Sequence, residues 1–290
     1  METKRINNKL PISVIINTYN EEKNIKDCLE SVKWAEEIIV VDMYSEDNTV
    51  NIAKKYTDKI YFFEKCNYVE PARKFAVEQA KKDWIFILDA DELVPVNLVK
   101  FFEETIRNDL YDVVRIPRKN YLFGKLMEGS GFGYERDLLV RFFKKGFVKF
   151  SNKIHSIPQI DKKARLHILR EYDKAIIHFN YITMEQFIDK LNRYTTIEAE
   201  NMFDYNENPN FFKQIYMILR EIGGRFIFKK GFKDGLQGFY LSLLSGCYII
   251  SSYSKLFLMK KFESKDYGKI VEKEYSKIKK TILEQHKNLL

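Results

Sequence analysis

The first 117 residues predict an α/β fold: a Rossmann-like, mostly parallel sheet flanked by helices. Three observations carry this. Short runs rich in Val, Ile and Phe alternate with segments of helical spacing. The runs IIVV and WIFIL are apolar throughout, as strands covered on both faces must be. The stretch DWIFILDADE, residues 83–92, ends on Asp89, Asp91 and Glu92. That places clustered carboxylates at the carboxyl edge of a sheet, where such folds bind ligands.

The elements follow in order. PISVIIN (11–17) is a strand run, and EEKNIKDCLESVKW (21–34) carries helical spacing through Ile25, Leu29 and Val32. EEIIVVDM (36–43) is a buried strand. SEDNTVNIAKKY (45–56) reads as a helix with Ser45 as N-cap. KIYFFE (59–64) is a strand, EPARKFAVEQAKK (70–82) a helix and DWIFIL (83–88) the next strand. PVNLVKFFEETIRN (95–108) opens with Pro95 in a first-turn position, and YDVVRIP (111–117) is a strand. Right-handed crossovers then place Thr18-Tyr19-Asn20, Asp42, the segment leading to Arg73, and Asp89-Ala90-Asp91 around one crevice.

Composition narrows the function. The 290 residues are 45% hydrophobic and 31% charged, which describes a folded chain rather than a disordered one. The net charge of +8 suits an anionic partner, and no dedicated nucleic-acid motif accompanies it. Cys28, Cys66 and Cys247 are far apart with no CxxC, which disfavours a structural zinc site or a disulfide scaffold. The segment METKRINNKL lacks the apolar core of a signal peptide, so the reading is cytoplasmic.

No G-x-G-x-x-G follows the first strand and no G-x-x-x-x-G-K occurs, which disfavours dinucleotide and P-loop chemistry. Nucleotide phosphates then need another counter-charge. Mg²⁺ or Mn²⁺ held by Asp-x-Asp supplies one, because these ions take few protein carboxylates and bridge to phosphates.

The runs ISVIINTYNEEKNIKDCLESV, EEIIVVDMYSEDNTVNIAKKY and EPARKFAVEQAKKDWIFILDADE together resemble the nucleotide-binding half of a family 2 glycosyltransferase of GT-A fold, over residues 11–95. RDLLVRFF (136–143), KIHS (153–156), HFNYITMEQFIDKLNRYTTIEAE (178–200) and KKGFKDGLQGFYLSLL (229–244) resemble, more loosely, bacterial lipopolysaccharide-core β-glycosyltransferases. The resemblance implies roles. Thr18, Tyr19 and Asp42 would hold nucleobase and ribose, with Asn20 and Glu21 beside them. Arg73 would lie near the nucleotide. Asp89 and Asp91 would form the DxD pair, Asp91 the direct metal ligand. Asp137 would be the acceptor-side carboxylate of a D-x-x-x-R pattern that ends on Arg141. Some positions depart from the family: Met43-Tyr44 replaces a small Ser-Gly pair, Lys74 replaces Asn, and Ser156 replaces Glu after His155.

An inverting transfer needs one base for the acceptor and an electrophile for the departing diphosphate. Asp137 is the candidate base, with Glu135 as alternate; the plain alternative is a loop carboxylate. Likewise, Asp42 could be a loop or N-cap Asp, and Arg73 a solvated helix charge. His155 and His178 each read either as contacts to metal or diphosphate or as structural histidines. Phe132 and Tyr134, in GSGFGYE, fit either acceptor stacking or a plain aromatic loop. His167 and His286 read as surface residues.

Domain organisation reads as a catalytic part over 1–183, with a nucleotide-sugar half over 11–117 and an acceptor half over 118–183. A helical region follows over 184–290. Residues 235–254, GLQGFYLSLLSGCYIISSYS, carry no charge, yet glycines and serines interrupt them and lysines flank them. Amphipathic helices on the inner membrane face are favoured over a spanning helix for 205–261. A buried hairpin or a homodimer contact is the alternative. The enzyme expected is an inverting, metal-dependent hexosyltransferase that uses a UDP-sugar. Its acceptor would be a cell-surface glycan or glycolipid precursor, or else a polypeptide. A nucleotidyltransferase is disfavoured because NTYNEEKN lacks a glycine-rich basic loop. A binding protein that has lost activity is disfavoured by the intact Asp89, Asp91 and Asp137.

Overall fold

The computed structural model describes residues 9–65, 70–150 and 158–287. Two compact units divide at Ile182/Thr183. In the first, β1 (Leu10–Thr18), β2 (Ala35–Asp42), β3 (Ile60–Phe62) and β4 (Trp84–Asp89) run parallel in the order β3-β2-β1-β4. The helices α1 (Ile25–Glu30), α2 (Thr49–Ala53), α3 (Glu70–Gln79) and α4 (Val96–Arg107) supply the connections, with the short β5 (Glu92–Leu93) between β4 and α4.

Strand alternation explains the two cores. Ile12, Val14 and Ile16 of β1 point with Phe86 and Leu88 of β4 toward Leu29, Leu98 and Phe102 of the helices. Ile15, Ile39, Val41, Ile85 and Ile87 point to the opposite face and pack on Ala72 and Ala76 of α3. Both faces of these strands are therefore covered, as their unbroken apolar runs require.

The sheet continues as β8-β6-β12-β5. β6 (Val113–Leu122) and β8 (Leu138–Lys144) are antiparallel, and β8 is also antiparallel to β4. β12 (Ile176–Tyr181) runs parallel to β6 and antiparallel to β5. β7 (Lys125–Leu126) and β11 (Leu166–Ile168) pair with β6, and β9 (Val148–Lys149) pairs with β10 (Gln159–Ile160).

Four local expectations change. Ser45 caps no helix: α2 starts at Thr49, and Ser45 is instead held by Asp42. Helix α1 covers only six of the fourteen residues from 21 to 34. β6 does not stop at Pro117 but runs on to Leu122, because Pro117 sits opposite Leu138 within the antiparallel pair. His167 is not simply a surface residue. It stacks on Tyr111 with ring centres 4.2 Å apart, and burial lowers its pKa.

The second unit is helical: α5 (Met184–Asp204), α6 (Phe211–Gly223), α7 (Gly235–Lys261) and α8 (Tyr267–Lys287). Thr183 and Gln186 close a capping box on α5. Ala199, Met202, Tyr253, Leu256 and Met259 form its core. The uncharged stretch 235–254 lies within one helix rather than a hairpin. α7 is long and apolar enough to cross a membrane by length and composition alone. Its buried positions, among them Leu241, Gly246 and Leu256, pack within the unit.

Candidate active site

The carboxyl ends of β1 and β2 bring two loops together. Met43 N–H donates to Thr18 O at 2.9 Å. Asp42 is fully buried and accepts from Ser45 N at 2.7 Å and Ser45 Oγ at 2.6 Å. Ser45 Oγ in turn accepts from Asn20 N, and Asn20 Oδ1 accepts from Glu46 N. Glu21 N donates to Thr49 Oγ1 at 2.8 Å. Asn20 and Tyr44 sit at positive φ, 55° and 60°, where these two loops turn. Tyr19 carries Lys65 over its ring at 4.1 Å. The buried Thr18 Oγ1 and both polar atoms of the Asn17 amide have no hydrogen-bond partner among the described residues. Orphaned polar atoms at a strand end are what a polar ligand or an ordered water would satisfy.

Three arginines answer the carboxylates after β4. Asp89 accepts from Arg141 Nη2 at 2.5 Å and from Arg73 Nη2 at 3.0 Å. Glu92 is fully buried and accepts from Arg141 and Arg118, each at 3.0 Å, and from Asp89 N at 2.8 Å. Asp137 is gripped by Arg118 through Nε at 2.9 Å and Nη2 at 3.2 Å, and by Asn120 Nδ2 at 2.8 Å. Burial alone would push the Asp89 carboxyl up; Arg141, Arg73 and Arg118 outweigh it and hold it well below the ordinary range. Asp137 behaves likewise: burial raises it, and Arg118 and Asn120 bring it below the ordinary value.

Asp91 has no arginine among these partners. Its Oδ2 lies 3.3 Å from His178 Nε2. Register explains the meeting, because β12 pairs His178 with Glu92 and Phe179 N donates to Asp91 O at 3.0 Å. The far side of His178 is fixed too, its Nδ1 lying 2.6 Å from Asn120 Oδ1. Asn120 Nδ2 faces two acceptors, Phe132 O and Asp137, so the amide oxygen must face the ring. Nδ1 therefore carries a hydrogen. In the neutral ring, the Nε2 lone pair then points at a carboxylate, an arrangement that calls for a proton or a cation between them. Glu21 reports the same shortage of positive charge. Burial first, and then Asp91, Asp89 and Asp47, push its carboxyl up to about 7, against a lowering hydrogen bond from Asn24.

A divalent cation fits this pair. Adjacent donors on one small octahedral cation stand about 3 Å apart, near the distance observed. A mixed nitrogen and carboxylate set suits Mn²⁺. Among the described residues no group of three acidic, His or Cys side chains forms a complete metal cage, so a cation here would draw further ligands from substrate and water. Both Asp89 oxygens face guanidinium groups. His155 lies outside the described residues.

The remaining expected residues are spread around this centre. Ala90 is buried. Tyr134 meets Tyr172 edge-on at 5.1 Å, and Glu135 is exposed in the turn before Asp137. Arg118 and Asn120 were not among the expected site residues, and Glu92 was expected only as one of three clustered carboxylates, without a role of its own. The available signal was polar residues at alternate positions in a strand that continues past Pro117: Ile116, Arg118, Asn120, Leu122.

Comparison with known proteins gives the class. Residues 13–159, just over half the chain, match Glycosyl transferase family 2. The chain belongs to that family: it is a glycosyltransferase of GT-A architecture. Lipopolysaccharide core biosynthesis glycosyltransferase LpsC of Rhizobium meliloti (strain 1021) is 27% identical over 262 residues, 86% of this chain and 93% of that protein. SPbeta prophage-derived glycosyltransferase SunS of Bacillus subtilis (strain 168) is 35% identical over 212 residues, 70% of this chain and 47% of that protein. Among solved structures, S. aureus TarS 1-349 in complex with UDP aligns over 92% of each chain with 18% identity and a TM-score of 0.46.

Proposed function

We propose that the chain is an inverting, divalent-cation-dependent glycosyltransferase that moves a hexose from a UDP-sugar to a hydroxyl of a cell-surface glycan or glycolipid precursor. The observation that carries the donor half is the Asp91–His178 pair, which no arginine joins among the described residues, beside a loop region with orphaned polar atoms. The similarity to a lipopolysaccharide core enzyme supports the acceptor class.

In this reading Thr18, Tyr19 and Asp42 line the nucleoside end, with Asn20 and Glu21 in the loop beside them. Asp91 and His178 would hold Mn²⁺ or Mg²⁺, which would supply positive charge to the departing diphosphate. Asp89 fixes Arg73 and Arg141 rather than the cation. Asp137 takes the proton of the acceptor hydroxyl. The acceptor oxygen forms the new bond to the anomeric carbon from the face opposite UDP. The bond from that carbon to the β-phosphate oxygen breaks, and UDP keeps the electron pair. Arg118 keeps Asp137 ionised and aimed, and binding energy away from the reacting atoms is used for alignment.

The test is a thermal-shift panel of nucleotide sugars with and without Mn²⁺. A ligand that binds only the folded state raises its apparent stability. A shift that needs both Mn²⁺ and one UDP-sugar supports the reading. No shift with any nucleotide sugar contradicts it.

A further inference from the structure

The helical unit carries an apolar surface that the transfer reaction does not explain. No residue of α6 is buried. Phe211, Phe212, Ile215, Tyr216 and Leu219 are all exposed, Phe212 by 82% and Leu219 by 65%. Their spacing places them on one side of the helix. Another side is occupied: Ile218 and Ile222 sit against Gly246 of α7, where an added Cβ would lie only 2.8 Å from Ile222. Glycine thus lets α7 and α6 approach closely, which pins α6 with its aromatic side outward.

The surface continues along the chain. A single π-helical turn, Gly224–Phe228, follows α6 and presents Ile227 and Phe228 to solvent. Phe226 meets Phe239 of α7 edge-on at 5.7 Å. From there Leu236, Phe239, Tyr240 and Leu243 form a second exposed stripe at helical spacing, with Leu236 71% exposed.

Charge decides what would cover it. From residue 211 to 240 the chain has six Lys and Arg and two carboxylates. Glu221 pairs with Arg225 at 2.6 Å, and Asp234 is buried. Lys213 and Arg220 fall beside the aromatic side of α6, both exposed. A two-fold contact between copies would set this basic rim against itself. An anionic lipid surface meets it with opposite charge, while Phe, Tyr and Leu enter the boundary between headgroups and acyl chains.

We propose that the face formed by α6, the π turn and the start of α7 docks on an anionic lipid membrane. In this arrangement α6 lies in the interface and α7 stays packed in its unit instead of crossing. The proposal depends on neither the sugar donor nor the acceptor.

The experiment is co-sedimentation of the full chain with vesicles. One set is phosphatidylcholine alone, and the other contains about a third phosphatidylglycerol. The chain should pellet with the anionic vesicles and stay largely in solution with the neutral ones. The Lys213→Glu/Arg220→Glu variant should bind anionic vesicles roughly thirtyfold more weakly or worse, since each basic residue near the surface counts for about a factor of five. Phe212→Ser/Leu219→Ser should lose binding to the same vesicles. These four side chains are exposed, so thermal unfolding of both variants should match the parent and verify that the fold is kept. Failure of the chain to pellet with anionic vesicles, or equal binding by both variants, would overturn the proposal. Sedimentation velocity gives the other decisive outcome. A parent dimer that Phe212→Ser/Leu219→Ser converts to monomer, with vesicle binding unchanged, would assign the face to a second copy. UDP binding is measured separately, so failure here leaves the donor-site reading intact.

Discussion

Asp91 Oδ2 and His178 Nε2 lie 3.3 Å apart where β12 runs beside β5. Neighbouring Asp89, Glu92 and Asp137 are each paired with arginine; among the described residues Asp91 pairs with this ring and with no arginine. The two aspartates of ILDADE therefore have different work. Asp89 anchors guanidinium groups, and Asp91 faces a histidine.

Stability should separate them. Arg141 is almost fully buried, and loss of either Asp89 or Glu92 removes part of its counter-charge. Asp89→Ala and Glu92→Ala should each cost about 3–5 kcal/mol in urea unfolding, the size of effect seen when one partner of a buried ion pair is removed. Asp91→Ala should stay within about 1 kcal/mol, because it leaves no arginine unpaired.

Asp137→Asn keeps the shape of the side chain but removes its ability to take a proton. UDP affinity in calorimetry should be unchanged. Turnover should fall about 10²–10⁴-fold, the range for loss of a positioned base. Transfer near the parent rate would move the role to Glu135 or another group.

Asn120→Ala removes the acceptor that holds His178 Nδ1 and one donor to Asp137. Second-layer partners of metal-binding histidines typically count for about 10–100-fold in affinity. Mn²⁺-dependent UDP binding should weaken by that factor, while UDP binding without metal stays as it was.

Glu21 predicts a pH effect in metal-free protein. Its folded value is about 7 against 4.5 as the reference. Between these the folded state holds a proton that the unfolded chain has released, so the folded state binds more protons and stability falls as pH rises. A shift of this size sets an upper bound of about 3 kcal/mol, reduced by the partial exposure of Glu21. Glu21→Gln should flatten the decline between pH 5 and 7 in urea midpoints, within about that window. An unchanged slope would show that another group controls it.

Much of this was readable in the chain because local pattern and burial agreed. IIVV and WIFIL are apolar throughout, and both turned out to be central strands covered on two faces. The register of those strands carries Asp42 and Asp89 to the same sheet edge. Arg118 and Asn120 were harder to see. They lie beyond Pro117, which as a strand breaker argued for stopping β6, yet an antiparallel neighbour accommodates it. His178 was a candidate without a partner, since its pairing with Asp91 comes from strands almost ninety residues apart in sequence. Ser45 had the right chemistry for a cap, but Asp42, three residues earlier, competed for it and won.

The most direct test of the central claim is calorimetric titration of UDP into the parent, Asp91→Asn and His178→Ala, each with and without Mn²⁺. The expected result is tight UDP binding by the parent only with Mn²⁺, and the loss of that metal-dependent gain in both variants. UDP binding that is equally tight without metal, or a gain that survives both substitutions, would contradict a cation held between Asp91 and His178.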